Sequence, residues 1–313
     1  MNKLKLVGLV AATHTPFQAD GSLNLAAVET QAGQLLQNNI HTVFIGGSTG
    51  ENHSLALQER IELTQRWTEV VRGTTLKVVV HVGSNCLGDA QMLAEQASRL
   101  GVAAISALSP SYFKPRTLGA LVEWCAAIAA IAPETPFYYY DIPTLTGAHF
   151  SMPDFLVQAA DRLPTLAGIK FTNYDLMNYQ LCLRVDEGAF DIPWGADEAL
   201  LGALSLGAQG AIGTSYNFAA PLFHRLLHNF HHGKLDAARQ EQFRVVQLIQ
   251  ILARYGLLGA TKAVMKMLGV DVGPVRLPHV HPTAEQTAKL RGELEQLGFF
   301  DWIAADTPQP TFS

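Results

Sequence analysis

Cysteine is scarce: Cys86, Cys125 and Cys182 are the only three in 313 residues. They are widely spaced, odd in number, and form neither a C-x-x-C pair nor a metal-ligand pattern. That excludes a disulfide-built fold and fits reduced thiols in a cytosol. Charge is sparse too. The 22 basic and 27 acidic side chains leave a net charge of −5, with no block of one sign to suit nucleic acid or an anionic membrane, so a small-molecule partner is expected. No apolar run is long enough to cross a bilayer, and a cytoplasmic location is expected. The N-terminal "MNKLKLVGLVAATHTPF" imitates a signal peptide. Its apolar run "LVGLVAA" is short, however, and opens a pattern that recurs along the chain, so it reads as a first strand.

What is abundant is apolar surface, 48% of the residues, enough for a large core. Short β-branched runs alternate with amphipathic stretches to about residue 215. The strand candidates are "LVGLVAA" from Leu6, "TVFIGG" from Thr42, "KVVVHVG" from Lys77, "AAISALS" from Ala103, "FYYYDI" from Phe137, "LAGIKF" from Leu166, "FDIPWG" from Phe190 and "GAIGT" from Gly210, eight in all. Between the first two, Leu25, Val28, Ala32, Leu35 and Leu36 repeat at helical spacing behind Asn24, a candidate N-cap; after the third, Ala90, Leu93, Ala94, Ala97 and Leu100 do so, with Gly101 to close the helix. Strands alternating singly with helices pair in parallel, and eight such units suit a closed (β/α)8 TIM barrel. An open nucleotide-binding sheet would carry a G-x-G-x-x-G after its first strand, and none is present. From Pro221 the chain turns wholly helical. The expected organisation is therefore a barrel core over residues 1–220, a C-terminal helical extension over 221–305 packed on it as one structural unit, and a flexible tail over 306–313.

In such a barrel the chemistry gathers at the C-terminal ends of the strands. Strand six ends on Lys170, at the end of an apolar run. Either that ammonium snorkels to water, or it is desolvated, its pKa falls, and the neutral amine can attack a ketone to form an imine. In "GGSTGE", glycines around Ser48 and Thr49 let the backbone N–H groups and two hydroxyls approach a carboxylate closely. In "YYYDIP", alternation sends Tyr138 and Tyr140 to one side of the sheet and Tyr139 to the other, which leaves Tyr140 able to move a proton, or the cluster simply to pack.

Two histidine features carry less. His224, His228 and His231 share a helical face, yet no carboxylate accompanies them as in H-E-x-x-H, so they read as solvated surface side chains and no metal site is expected. His14, after strand one, is close to the expected barrel mouth and reads as a packed or solvent-facing side chain more than as a substrate contact.

Taken in order and spacing, "GGSTGE", "YYYDIPTLTG", "GIKFT" and "WGADE" resemble the pyruvate-dependent class I aldolases, the family that includes N-acetylneuraminate lyases and dihydrodipicolinate synthases. The resemblance runs from "LVAATHTPF" to the "GPVRLP" region. It implies a homotetrameric (β/α)8 barrel without a metal or organic cofactor. It also implies Lys170 as Schiff-base lysine, Tyr140 as proton shuttle, Ser48 and Thr49 as carboxylate grip, and the Ile212 backbone beside the pyruvate moiety. Tyr112, in "SPSYFKP", matches a tyrosine lent across a subunit interface, where it would complete a hydroxyl relay with Tyr140 and Ser48.

Within that family, the synthases carry an arginine soon after the catalytic tyrosine, where this chain has Leu145. The resemblance to the lyases is closer. It implies that Thr172 contacts substrate and that Gly195, Asp197 and Glu198 accept hydrogen bonds from a polyhydroxylated tail. The activity implied is reversible cleavage of N-acetylneuraminate to N-acetylmannosamine and pyruvate. A related aldolase, hydratase or lyase for another 2-keto-3-deoxy sugar acid is the alternative, and a non-catalytic sugar-acid-binding regulator a more remote one. Two positions depart from the lyase pattern: Asp141 stands where Asn or His is usual, and Thr214 replaces a serine that would meet the substrate's glycerol end.

Overall fold

In the computed structural model, residues 4–304 are described, so the expected tail at 306–313 lies outside the described residues. Seven parallel strands form the sheet: β1 (Gly8–Ala12), β2 (Thr42–Ile45), β3 (Lys77–His81), β4 (Ala104–Leu108), β5 (Phe137–Asp141), β6 (Leu166–Phe171) and β7 (Gly210–Gly213). Their order is β6-β5-β4-β3-β2-β1-β7. The eighth expected strand, from Phe190, does not form a continuous ladder, although it closes the barrel between β6 and β7. Asp191 N donates to Ala167 O and Ile169 N to Asp191 O on one side, while Trp194 N donates to Gly210 O and Ile212 N to Trp194 O on the other. Pro193 is the reason for the break. Its neighbours Asp191 and Gly195 both donate to β6, but Pro193 has no N–H to do so between them. Gly168 permits the close approach of this stave, since a Cβ there would stand 1.7 Å from Asp191 O.

The strands are buried on both faces, as parallel strands under a helical layer must be. Inside the barrel, Val10, Phe44, Val79, Leu108, Tyr138, Tyr140 and Ile212 form one cluster; the outward residues, Tyr139 among them, join a larger one with the helices. Each fully buried Leu, Ile or Phe in these clusters contributes about 1.5–3 kcal/mol. The side-chain period of two thus separates the three consecutive tyrosines as the sequence predicts.

The outer layer follows from amphipathic spacing. It comprises α1 (Ala27–Gln37), α2 (Leu57–Val70), α3 (Leu87–Arg99), α4 (Leu118–Ala129), the short α5 (Pro143–Thr146), α6 (Met152–Ala160), α7 (Leu176–Cys182), α8 (Leu200–Leu206) and α9 (Ala220–His231). Gly101, with φ +70°, follows α3 as expected. Asn24 is not the N-cap of α1. Residues 24–27 first form a tight turn, with Ala27 N donating to Asn24 O, which leaves Ala26 at the cap position. The C-terminal part holds α10 (Leu235–Arg254), α11 (Leu257–Met267), α12 (Ala284–Leu297) and α13 (Phe299–Ala304). It is not wholly helical: a non-helical segment over residues 268–283 runs between α11 and α12 and returns to the barrel. Among the described residues no helix is long and apolar enough to cross a membrane.

Candidate active site

Lys170, the penultimate residue of β6, faces into the barrel and is only 3% exposed. It does not snorkel. Its Nζ lies 4.0 Å from the centroid of the Phe44 ring and 3.9 Å from that of Tyr140. Burial pushes its pKa down to about 7, against the opposing pull of the Asp197 carboxylate. Near neutral pH the amine is therefore neutral in a large fraction of molecules. Tyr140 is its neighbour on β5, and burial pushes the phenol pKa up, while the nearby Ser48 and Thr172 hydroxyls oppose the shift by favouring the phenolate. Ser48 Oγ stands 3.3 Å from the Tyr140 hydroxyl.

The turn after β2 presents Ser48 and Thr49. Gly46 takes φ +64°, and among the described residues the Ser48 and Thr49 backbone N–H groups have no backbone acceptor. Thr49 Oγ1 is 2.6 Å from Thr214 Oγ1 after β7, so a hydroxyl remains where the departure from serine occurs. These three hydroxyl residues line a cleft of about 510 Å³ together with Leu145, Leu257 and Val280. Lys170 and Tyr140 do not themselves line this cleft; Ser48, which does, connects it to them through the Tyr140 hydroxyl.

Asp197 and Glu198 take different places. The Asp197 carboxylate is buried: its Oδ2 accepts the Ser215 N–H at 2.8 Å, and its other oxygen comes so near Gly213 that a Cβ there would be 1.7 Å away. Burial pushes its pKa up to about 6. Glu198, at the rim, accepts a hydrogen bond from the Tyr174 hydroxyl. Thr172 and Gly195 are in close contact, since a Cβ on Gly195 would overlap the Thr172 hydroxyl. Ile212 is buried in the inner cluster with Tyr140. Tyr112 stands apart from these residues, 78% exposed after β4, its ring edge-on to Phe113. Asp141 is bonded to Asn173, and its pKa is raised to about 7 by burial. It follows Tyr140 in β5 and therefore points to the opposite side of the sheet, so the departure at Asp141 is not a change in the barrel mouth.

The histidines are redistributed. His224 is not a solvated surface side chain: it is 1% exposed, and its Nε2 is 2.8 Å from Asn38 O. Among the described residues no group of three or more His, Cys, Asp or Glu is placed to hold a metal ion. His14 is buried with Nε2 2.9 Å from Thr261 Oγ1, and burial lowers its pKa to about 3.

A histidine that sequence reasoning passes over matters more. His81, the last residue of β3, packs edge-on to Tyr140 and bridges Gly46 O and Leu108 N through its two ring nitrogens. A proton on Nδ1 serves both bonds, and burial keeps the ring neutral. The signal available was a histidine ending the apolar run "VVVH".

Comparison with known proteins places this geometry. The model of the dihydrodipicolinate synthetase family matches residues 5–297. The chain belongs to the dihydrodipicolinate synthetase family. Among members of that family with assigned activities, the N-acetylneuraminate lyase of Gallus gallus is 36% identical over 297 residues, covering 94% of this chain and 96% of the relative. Among solved structures, the Proteus mirabilis N-acetylneuraminate lyase superposes with a TM-score of 0.92 at 37% identity, covering 95% of this chain and 100% of that one. A Ruminococcus gnavus sialic acid aldolase, solved as a catalytic lysine mutant, gives 0.90 at 27% identity over 96% of this chain and 98% of its own. The TIM-barrel expectation accords with these neighbours.

Proposed function

We propose that this protein is an aldolase that cleaves N-acetylneuraminate reversibly to N-acetylmannosamine and pyruvate. The observation that carries the proposal is the buried Lys170 amine, with its pKa brought down to about 7 beside Tyr140, in a family whose similar members are N-acetylneuraminate lyases. Neutral Lys170 attacks the C2 ketone of the open-chain sugar acid, and the carbinolamine hydroxyl leaves as water by taking the Tyr140 phenol proton, which gives a protonated imine and a phenolate. The Tyr140 phenolate then takes the C4 hydroxyl proton, the C3–C4 bond breaks, and its electron pair moves into the imine to form an enamine. Protonation at C3 and hydrolysis release pyruvate and restore the amine. Because the imine is the electron sink, the proposed route needs no metal or organic cofactor.

Ser48 and Thr49 hold the carboxylate in this scheme. Thr172, Gly195, Ile212, Thr214 and Glu198 surround the rest of the substrate, and Asp197 acts from behind the Thr214 turn. The exposure of Tyr112 suits a side chain that completes a neighbouring subunit's site, so a homotetramer in the cytoplasm is part of the proposal. The test is a substrate panel with borohydride trapping. Pyruvate and N-acetylneuraminate should each leave a reduced adduct on the peptide "GIKFTN", and N-acetylmannosamine should accumulate. An adduct on another lysine, or turnover only of other 2-keto sugar acids, would sink the assignment. An active Tyr112→Phe protein, or an active monomer, would remove the shared-site part alone.

A further inference from the structure

The turn that carries Ser48 and Thr49 ends on Glu51, a residue no part of the proposed chemistry uses. Glu51 adopts the left-handed conformation, φ 56° and ψ 35°, which is sparsely populated for a side chain other than glycine. Its carboxylate meets Lys262 of α11 at 2.7 Å, and both side chains are fully buried. The second carboxylate oxygen accepts the backbone N–H of Arg276 at 2.8 Å, from the segment after α11. Lys262 Nζ also donates to Thr15 O at 2.9 Å and Pro274 O at 2.8 Å. Thr15 in turn donates its hydroxyl to Gly50 O at 2.6 Å, and Glu51 N donates to Ser48 O at 3.0 Å. The turn is thus held from behind by one buried ion pair, whose cation comes from the C-terminal helices.

A buried ion pair adds little net stability over an apolar pair of the same shape, because desolvating both charges offsets their attraction. What this one does supply is direction: both carboxylate oxygens are engaged, and they fix the backbone at the residue where the turn is least free. Glu51 and Thr261, the neighbour of Lys262, also line the cleft. We propose that Glu51 and Lys262 are positioning residues that aim the Ser48–Thr49 hydroxyls and N–H groups at a substrate carboxylate. The C-terminal helices thereby take part in substrate recognition. The inference rests on the pyruvate-aldolase reading above.

The test compares two ketones in borohydride trapping at Lys170: pyruvate, and hydroxyacetone, which lacks the carboxylate. The paired variant Glu51→Gln/Lys262→Met removes both charges and keeps the shape. The pyruvate concentration for half-maximal trapping should rise about 10–100-fold, while that for hydroxyacetone changes less than about threefold. Glu51→Asp keeps the charges but withdraws the carboxylate by one methylene, and should show the same selective loss at about 3–10-fold. Equal losses on both ketones, or none on either in the two variants, would overturn the positioning role while leaving the aldolase reading standing. No trapping of pyruvate at Lys170 in the unsubstituted protein would overturn the aldolase reading, and this inference with it.

Discussion

Tyr140 and Lys170 face each other in register across β5 and β6, with the lysine Nζ 3.9 Å from the tyrosine ring centroid. The proposed nucleophile and proton carrier are therefore fixed by sheet hydrogen bonds, with no loop needed to bring them together. Residues paired across adjacent parallel strands point to the same side. Both consequently enter the barrel at the same level, where each is almost wholly buried.

Burial that brings Lys170 to about 7 should appear in the pH dependence of imine formation. The ammonium cannot attack a ketone, so initial trapping of pyruvate should rise between about pH 6 and 8 and level off above that range. An inflection near the ordinary lysine value would place the amine in water.

The same desolvation should cost stability. The folded-state pKa lies below the unfolded value of 10.5, so between about pH 7 and 10.5 the unfolded chain holds a proton that the folded chain lacks, and stability rises with pH across that window. Lys170→Met should therefore raise the unfolding free energy at pH 7 by about 1–4 kcal/mol, with the gain shrinking toward pH 10. Denaturant titration at both pH values checks this. A less stable variant would mean that the two flanking rings compensate the charge.

Tyr140→Phe removes the hydroxyl near Ser48 and leaves the ring against Lys170. We expect kcat to fall about 10²–10⁴-fold, the range for losing a positioned acid or base, with the pyruvate adduct still forming. Loss of adduct in equal measure would assign the phenol to shaping the pocket.

Asp197 and Glu198 should part company on substitution. Asp197→Asn removes a buried carboxylate that raises the Lys170 pKa, so the inflection for trapping should move to lower pH, and short and long 2-keto acids should be affected alike. Glu198→Gln, at the rim, should raise KM about 3–30-fold for substrates with a hydroxylated tail and hardly alter pyruvate exchange. If Asp197→Asn harms only the long substrates, its carboxylate reads the tail directly.

Much of this site is legible along the chain because local rules write it there. Period-two alternation assigns Tyr138 and Tyr140 to the interior and Tyr139 to the helices, and the end of each apolar run marks where a side chain enters the mouth. On that basis Lys170, Tyr140, Ser48 and Thr49 are named from sequence, and the fold brings them to one end of the barrel. Pro193 could have warned of the interrupted eighth stave, since a proline removes one ladder bond wherever it falls.

What the chain alone leaves open is which way long-range partners turn a polar group. Asp197 and Glu198 are adjacent in sequence, yet Gly213 and the Ser215 N–H draw one inward and Tyr174 holds the other at the rim. The fate of His224 depends on Asn38 O, 186 positions away. The Glu51–Lys262 pair joins residues from opposite ends of the chain. The sequence by itself determined the barrel and its reactive strand ends, because backbone periodicity and apolar patterning are local. Only the tertiary structure decided the lysine's desolvation, the histidine behind the turn and the ion pair that anchors it. Burial and charge pairing are properties of neighbours in space.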